Sequence, residues 1–189
     1  MRAQNTLVTA VTIVATGVLL AGCASLHSGV NTTAATTAAG TNGAAAAAKK
    51  AAVGDAINLK GMQSGDQLQV TLVKVIDPDS TSSEIATPTA GTRYVTVEFQ
   101  LKDTGTGAYQ DDPQIDVTVK DAAGHSYQPD LMAEQMKSGP GLDSSTNLAA
   151  GDVAAGGITF DVPNGVKITT VQYGLNGGMA GGVGEWTVS

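Results

Sequence analysis

The sequence predicts an all-β fold, a small antiparallel sandwich of two sheets, and three observations predict it. Apolar and polar residues alternate with period two in several segments beyond position 54, the signature of strands with one buried face. Short runs of Gly, Asp and Asn fall between those segments, which is turn chemistry. The chain has 24 glycines and a single short stretch with a helix-start signal, which argues against a largely helical protein. A closed β-barrel is the structural alternative.

The first element is an export signal. Arg2 supplies a positive start, Leu7 to Leu20 carries no charge, and the chain then reads Leu20-Ala21-Gly22-Cys23. A positive n-region, an apolar run and small residues at a cut site define a secretory signal. The run is shorter than the roughly 20 residues of a comfortable membrane span. The tetrapeptide resembles the bacterial lipobox, in which the Cys thiol takes a diacylglyceryl group and becomes the new N-terminus. Cys23 is the single cysteine of the chain and stands where a lipobox needs it; an ordinary signal peptide with a chance cysteine is the alternative. Two acyl chains satisfy the two-signal rule for stable anchoring. Residues 1–22 are therefore expected to be a lipoprotein signal peptide, and Cys23 the lipidation site.

Residues 23–53 are expected to be the acylated cysteine and a disordered tether. Ala, Thr, Gly, Asn and Ser dominate it, and such a composition cannot bury a core. As a random coil, ~30 residues span roughly 30 Å, enough to clear lipid headgroups. Composition alone also allows O-glycosylation of its threonines.

Residues 54–189 are expected to form the folded domain. In Arg93 to Lys102, Val95, Val97, Phe99 and Leu101 point one way and Tyr94, Thr96, Glu98, Gln100 and Lys102 the other. Ile115, Val117 and Val119 repeat the pattern, with Asp116, Thr118 and Lys120 outward. Ile158, Phe160 and Val162 repeat it again, and Trp186 with Val188 ends the chain. Leu68 to Ile76 starts with Leu68, Val70 and Leu72 inward, then switches face at Val73 and Val75; a bulge or burial on both sides explains such a switch. Val166 to Leu175 changes phase between Ile168 and Val171. Turns are expected at Asp103-Thr104-Gly105, Asp121-Ala122-Ala123-Gly124, Ala150-Gly151-Asp152 and Pro163-Asn164-Gly165, with Asn164-Gly165 the strongest hairpin signal. Asp130 is expected to cap a short helix over Leu131–Met136, ended by Gly139-Pro140-Gly141.

Charge excludes some functions. The formal net charge is −7, and every acidic residue lies beyond position 54. A nucleic-acid binder needs a basic stripe, and none is visible. Adsorption to anionic lipid is disfavoured for the same reason. With one cysteine the domain is expected to hold by its core alone, without an intramolecular disulfide.

Several segments in order are familiar. They are Gly91-Thr92-Arg93-Tyr94-Val95-Thr96-Val97, Leu101-Lys102-Asp103-Thr104-Gly105, Asp121-Ala122-Ala123-Gly124-His125-Ser126-Tyr127, and Gly157-Ile158-Thr159-Phe160-Asp161-Val162-Pro163. Together they resemble a bacterial extracellular immunoglobulin-like family of unknown function, carried by many Gram-positive and actinobacterial lipoproteins. The family's fold is similar to that of a secreted mycobacterial immunoprotective antigen. The resemblance covers about Gly54 to Ser189 and implies an immunoglobulin-like sandwich on the outside of the cell. It implies no catalytic residues. Asp103 departs from the family, which often has Asn there; both suit the turn.

A search for chemistry yields little. A Ser-His-Asp system needs a histidine base; His27 lies in the tether and His125 in an exposed turn without a nucleophile motif. Asp77-Pro78-Asp79 and Asp111-Asp112-Pro113 lack the alternating ligands of an EF-hand loop. Asp77, Asp79, Asp111 and Asp112 from two loops could still meet at one end of a sandwich and draw in a cation. His125, Met132 and Met136 would suit Cu(I), but Met132 and Met136 at helical spacing are also how core residues pack. Glu98 and Asp116 are read as two outward carboxylates, not a glycosidase pair. Tyr94, Tyr109, Tyr127, Tyr173 and Trp186 are too sparse for a sugar platform, and Trp186 is assigned to the core. No catalytic, cofactor or metal residues are assigned.

The expected function is a lipid-anchored extracellular binding module, non-enzymatic, monomeric and free of cofactors. It would hold to the membrane through the acyl chains of Cys23 and meet a protein or cell-envelope partner. Its longest loop, Asp130 to Asn147, offers Met132, Met136 and Leu142 as apolar contacts. A carrier of a small ligand or metal ion is the alternative, and a cell-wall enzyme the third.

Overall fold

The structure, a computed structural model, describes residues 29–32, 34 and 51–189. Cys23, His27, the expected signal segment and most of the expected tether lie outside them.

The fold is an immunoglobulin-like antiparallel β-sandwich. Its strands are β1 (Gly29–Asn31), β2 (Ala56–Lys60), β3 (Gln67–Asp79), β4 (Thr92–Asp103), β5 (Tyr109–Asp111), β6 (Val117–Asp121), β7 (Ser126–Tyr127), β8 (Thr146–Leu148), β9 (Val153–Pro163), β10 (Ile168–Gly174) and β11 (Gly182–Thr187), with a four-residue helix α1 (Pro113–Asp116). One sheet has the order β2-β3-β4-β9 and the other β1-β11-β10-β6-β7, while β5 and β8 pair separately. Two distinct sheets make this a sandwich, not a closed barrel.

Alternation builds the core. Val95, Val97, Phe99 and Leu101 of β4 are fully buried, as are Phe160 and Val162 of β9. From the facing sheet come Val117 and Val119, Val171 and Tyr173, and Trp186. Phe99 meets Tyr173 edge-on at 5.1 Å and Trp186 at 6.1 Å between centroids, so one ring ties both sheets. The Trp186 indole N–H donates to the Asp55 carbonyl at 2.8 Å, which satisfies its one polar atom inside the core.

Both phase changes are irregularities of pairing. The β3–β4 register shifts between Leu72 and Lys74, so Val73 faces solvent. The β10–β6 register shifts between Ile168 and Thr170.

Five expectations change. The period-two reading of Ile115 and Asp116 is reversed: Ile115 is exposed and Asp116 buried. Asp112 caps α1 by accepting from the Gln114 N–H at 3.0 Å, with Pro113 at the first turn, and a helical turn rotates these side chains away from strand phase. The helix over Leu131–Met136 does not form. Asp130 does accept from the Met132 N–H at 2.9 Å, but the carbonyl of Gln135 and the N–H of Lys137 bond to the Ser80–Ser82 segment instead; six residues are too few to hold a helix against such partners. Asn164-Gly165 makes a turn but no hairpin, because β9 and β10 lie in different sheets. Gly29–Asn31, expected within the tether, pairs parallel with β11, and Ala51 is buried where its carbonyl accepts from the Thr187 N–H at 2.9 Å. Finally, Tyr94 and Thr96, expected on an outward face, are both buried under the loops described next.

Candidate functional site

Two long loops clasp over the outer face of the β3-β4-β9 sheet. Residues 129–142 first follow the free edge of β9: Asp130 donates its N–H to Thr159 O at 2.8 Å, Gly157 to Pro140 O at 3.0 Å, and Leu142 to Gly157 O at 3.0 Å. An open strand edge is a template for aggregation, and this segment closes it. Gly156 permits the approach, since a Cβ there would lie 2.7 Å from the Gly141 carbonyl carbon and the Leu142 nitrogen. The loop then meets residues 80–86. Ser82 N donates to Gln135 O at 3.0 Å, Lys137 N to Ser80 O at 2.8 Å, and the Thr81 hydroxyl to Glu134 O at 2.7 Å.

Beneath the clasp is a polar floor. Asp79, Tyr94 and Asp161 stand opposite one another on three adjacent strands, hence on one face. Burial, followed by the charge and hydrogen bond of Asp130 and the charge of Asp161, pushes the Tyr94 phenol up to about 12. Asp161 is held below the ordinary carboxylate range: burial opposes this, but the Thr92 hydroxyl and Thr89, whose N–H donates at 3.1 Å, prevail. The Thr96 and Thr159 hydroxyls pair at 2.9 Å and line a cavity of about 140 Å³ with Asp130 and Glu134. That is below the roughly 300 Å³ at which small-molecule pockets begin.

The outer rim of the clasp is apolar. Ile85 is 89% exposed, Met132 77% and Leu131 66%. With Ala86 and Glu134 they form an open groove of about 370 Å³. Ile85 escaped the sequence reading because it stands alone among Ser, Thr and Glu; its isolation was the one available signal. Met132 is where a contact residue was expected, but Met136 lines the inner cavity and Leu142 is buried.

The other candidates are dispersed. Asp77 forms a bidentate pair with Arg93 at 2.5 and 2.7 Å, and Asp79 caps Ser80 N at 2.7 Å, both at the end of β3. Asp111 accepts from the Tyr109 hydroxyl and from Asn176 N at 2.7 Å. Asn176 in turn accepts from Met62 N at 3.0 Å, just before β3 begins. The two aspartate pairs thus sit at opposite ends of a long strand. Among the described residues no cluster of three or more His, Cys, Asp or Glu side chains could hold a metal ion. His125 bonds Asp121 at 2.9 Å in the exposed β6–β7 turn, whereas Met132 and Met136 belong to the 129–142 loop. Glu98 of β4 pairs with Lys74 at 2.8 Å, whereas buried Asp116 ends the helix α1.

Comparison with known proteins places the chain. The family described as Domain of unknown function (DUF4352) matches residues 61–182. The chain belongs to the DUF4352 family. No curated protein matches it. The secreted protein MPT63 of Mycobacterium tuberculosis is similar in structure, with a TM-score of 0.54 and 20% identity over 72% of this chain and 94% of that one. The lipoprotein candidate YcdA of Bacillus subtilis aligns with a TM-score of 0.48 and 16% identity over 69% of this chain but 38% of that one. An uncharacterized β-sandwich protein of Clostridium difficile aligns with a TM-score of 0.42 and 10% identity over 75% of this chain and 97% of that one. For this DUF4352 member the MPT63 likeness supports the sandwich fold, and the family name assigns no activity.

Proposed function

We propose that this DUF4352 protein is a non-enzymatic binding module held at the outer face of the cell membrane by acyl chains on Cys23. The observation that carries the binding role is the groove of Ile85, Leu131 and Met132, three large apolar side chains held exposed by a hydrogen-bonded clasp. Exposed apolar side chains gathered in one groove mark interaction sites more often than those scattered singly. Glu134 lines the groove and exposed Glu84 adjoins Ile85, so the occupant is a protein segment with apolar side chains flanked by Lys or Arg. The same acidity disfavours an anionic bilayer.

A fluorescent peptide alternating leucine and lysine tests this reading. It should bind at least about tenfold tighter than counterparts with serine for leucine or glutamate for lysine. Leu131→Ser with Met132→Ser should remove that preference while the melting temperature stays within about 2 °C, as expected for exposed positions. Equal binding of all three peptides would overturn the reading, as would variant-sensitive binding to anionic vesicles without peptide selectivity.

The anchor has its own test. Cys23→Ser should move the protein from the detergent phase to the aqueous phase, because the two chains supply nearly all of the membrane affinity. Unchanged partitioning would refute lipidation at Cys23.

A further inference from the structure

At the end of the sandwich where β3 begins, a second device is built from two carboxyl groups. Asp111 ends β5 and Asp116 ends α1. The backbone between β10 and β11 turns through three left-handed residues, Asn176, Gly177 and Gly178. Its first two N–H groups point at these side chains: Asn176 N donates to Asp111 Oδ2 at 2.7 Å, and Gly177 N to Asp116 Oδ1 at 2.6 Å. Successive N–H groups in such a turn form an anion-binding concavity, here filled by the protein's own acids. Asn176 also accepts from Met62 N at 3.0 Å, so the turn fastens β5, α1 and the β2–β3 connection together.

The chemistry of the pair is unbalanced. Asp116 is 6% exposed, and its Oδ2 receives no hydrogen bond from the protein. The groups acting on it are Asp111 at the end of β5, Asp112 at the cap of α1 and the Gly177 N–H; Tyr109 of β5 and Tyr173 of β10 feel its charge in turn. No lysine, arginine or histidine is among them. Two ionised carboxylates cannot share such a site without a cation. A proton on Asp116 removes the repulsion and turns the orphaned oxygen into a donor toward Asp111.

We propose that Asp116, held beside Asp111 by adjacent backbone donors of one turn, keeps its proton and forms a pH-sensitive latch that closes the Leu175–Gly178 turn. Burial raises the Asp116 carboxyl to about 8; the Gly177 N–H opposes this, and Asp111 and Asp112 reinforce it. An unfolded aspartate ionises near 3.9. The native state therefore keeps an extra proton between about pH 4 and about pH 8, and its stability falls as pH rises across that window. Above it the latch carries a second charge and the turn releases, loosening Leu175 and Ala180, which are buried in the closed form.

Carboxyl-carbon NMR and amide exchange on the secreted chain carrying Cys23→Ser decide the matter. One aspartate carboxyl should titrate between about pH 6 and about pH 9, and its signal should vanish in Asp116→Asn. Over the same range the protection factors of the Asn176 and Gly177 amides should fall about tenfold relative to that of Gln172, within β10. Asp116→Asn keeps an acceptor for Gly177 and a donor toward Asp111, so its turn should stay protected at high pH. Should that variant fail to fold, backbone-linked assignment of the wild-type carboxyl gives the same answer. The latch is overturned if every aspartate titrates below about pH 5, or if turn protection is indifferent to pH.

Discussion

Truncating Phe99 to alanine is expected to cost the domain about 3–5 kcal/mol, the range for large-to-small changes at fully buried aromatics. Phe99 is 0% exposed at the middle of β4 and touches Tyr173 and Trp186 of the facing sheet. Its loss removes apolar burial, leaves a cavity between the sheets, and breaks two edge-to-face contacts worth about 0.5–1.5 kcal/mol each. A domain with a typical reserve of about 5–15 kcal/mol would retain only part of it. Phe160 of β9 is equally buried and should behave alike. Chemical denaturation measures both, with Val73→Ala as a control: Val73 faces solvent beside the β3 bulge and should shift stability by no more than about 0.5 kcal/mol. A Phe99→Ala loss below about 1 kcal/mol would contradict the packing described here.

Gly156→Val is expected to unseat the 129–142 loop. A Cβ at 156 would sit 2.7 Å from the backbone of Gly141 and Leu142, so the segment must leave the edge of β9. The change forfeits the hydrogen bonds of Gly157 with Pro140 and Leu142, each contributing about 1 kcal/mol, and adds overpacking of about 1–3 kcal/mol. A total of about 3–5 kcal/mol follows. Binding should weaken with it, because Leu131 and Met132 sit on that loop, and the exposed β9 edge should promote self-association. Denaturation, peptide binding and light scattering report the three effects separately. Stability and binding both within error of wild type would disprove the edge-closing role of residues 140–142.

The fold follows the sequence pattern where neighbours in the chain decide the outcome. The burial of Val95, Val97, Phe99 and Leu101 follows from alternation along one strand. The phase switches at Val73 and Ile168 announced the two register shifts, because a bulge leaves its mark in the pattern itself. Ile115 and Asp116 depart from the alternation because Asp112-Pro113, an N-cap followed by a proline, begins a helical turn that breaks the period of two. Asp130 was a correct capping residue for a helix that tertiary hydrogen bonds to residues 80–82 replaced.

The sequence by itself determined the all-β class, most of the strand phases and most of the turns, since each depends on residues a few positions apart. Only the tertiary structure decided that the second face of β4, with Tyr94 and Thr96, is covered as well, and where the apolar groove lies. It also brought Asp111 and Asp116 to backbone donors 65 and 61 residues away. Ile85 and Met132 are unremarkable until the 80–86 and 129–142 loops fold across one sheet, and Asp116 is an ordinary acid until the Gly177 turn closes on it. Long-range pairing creates these sites, and its geometry has no period that a linear pattern could carry.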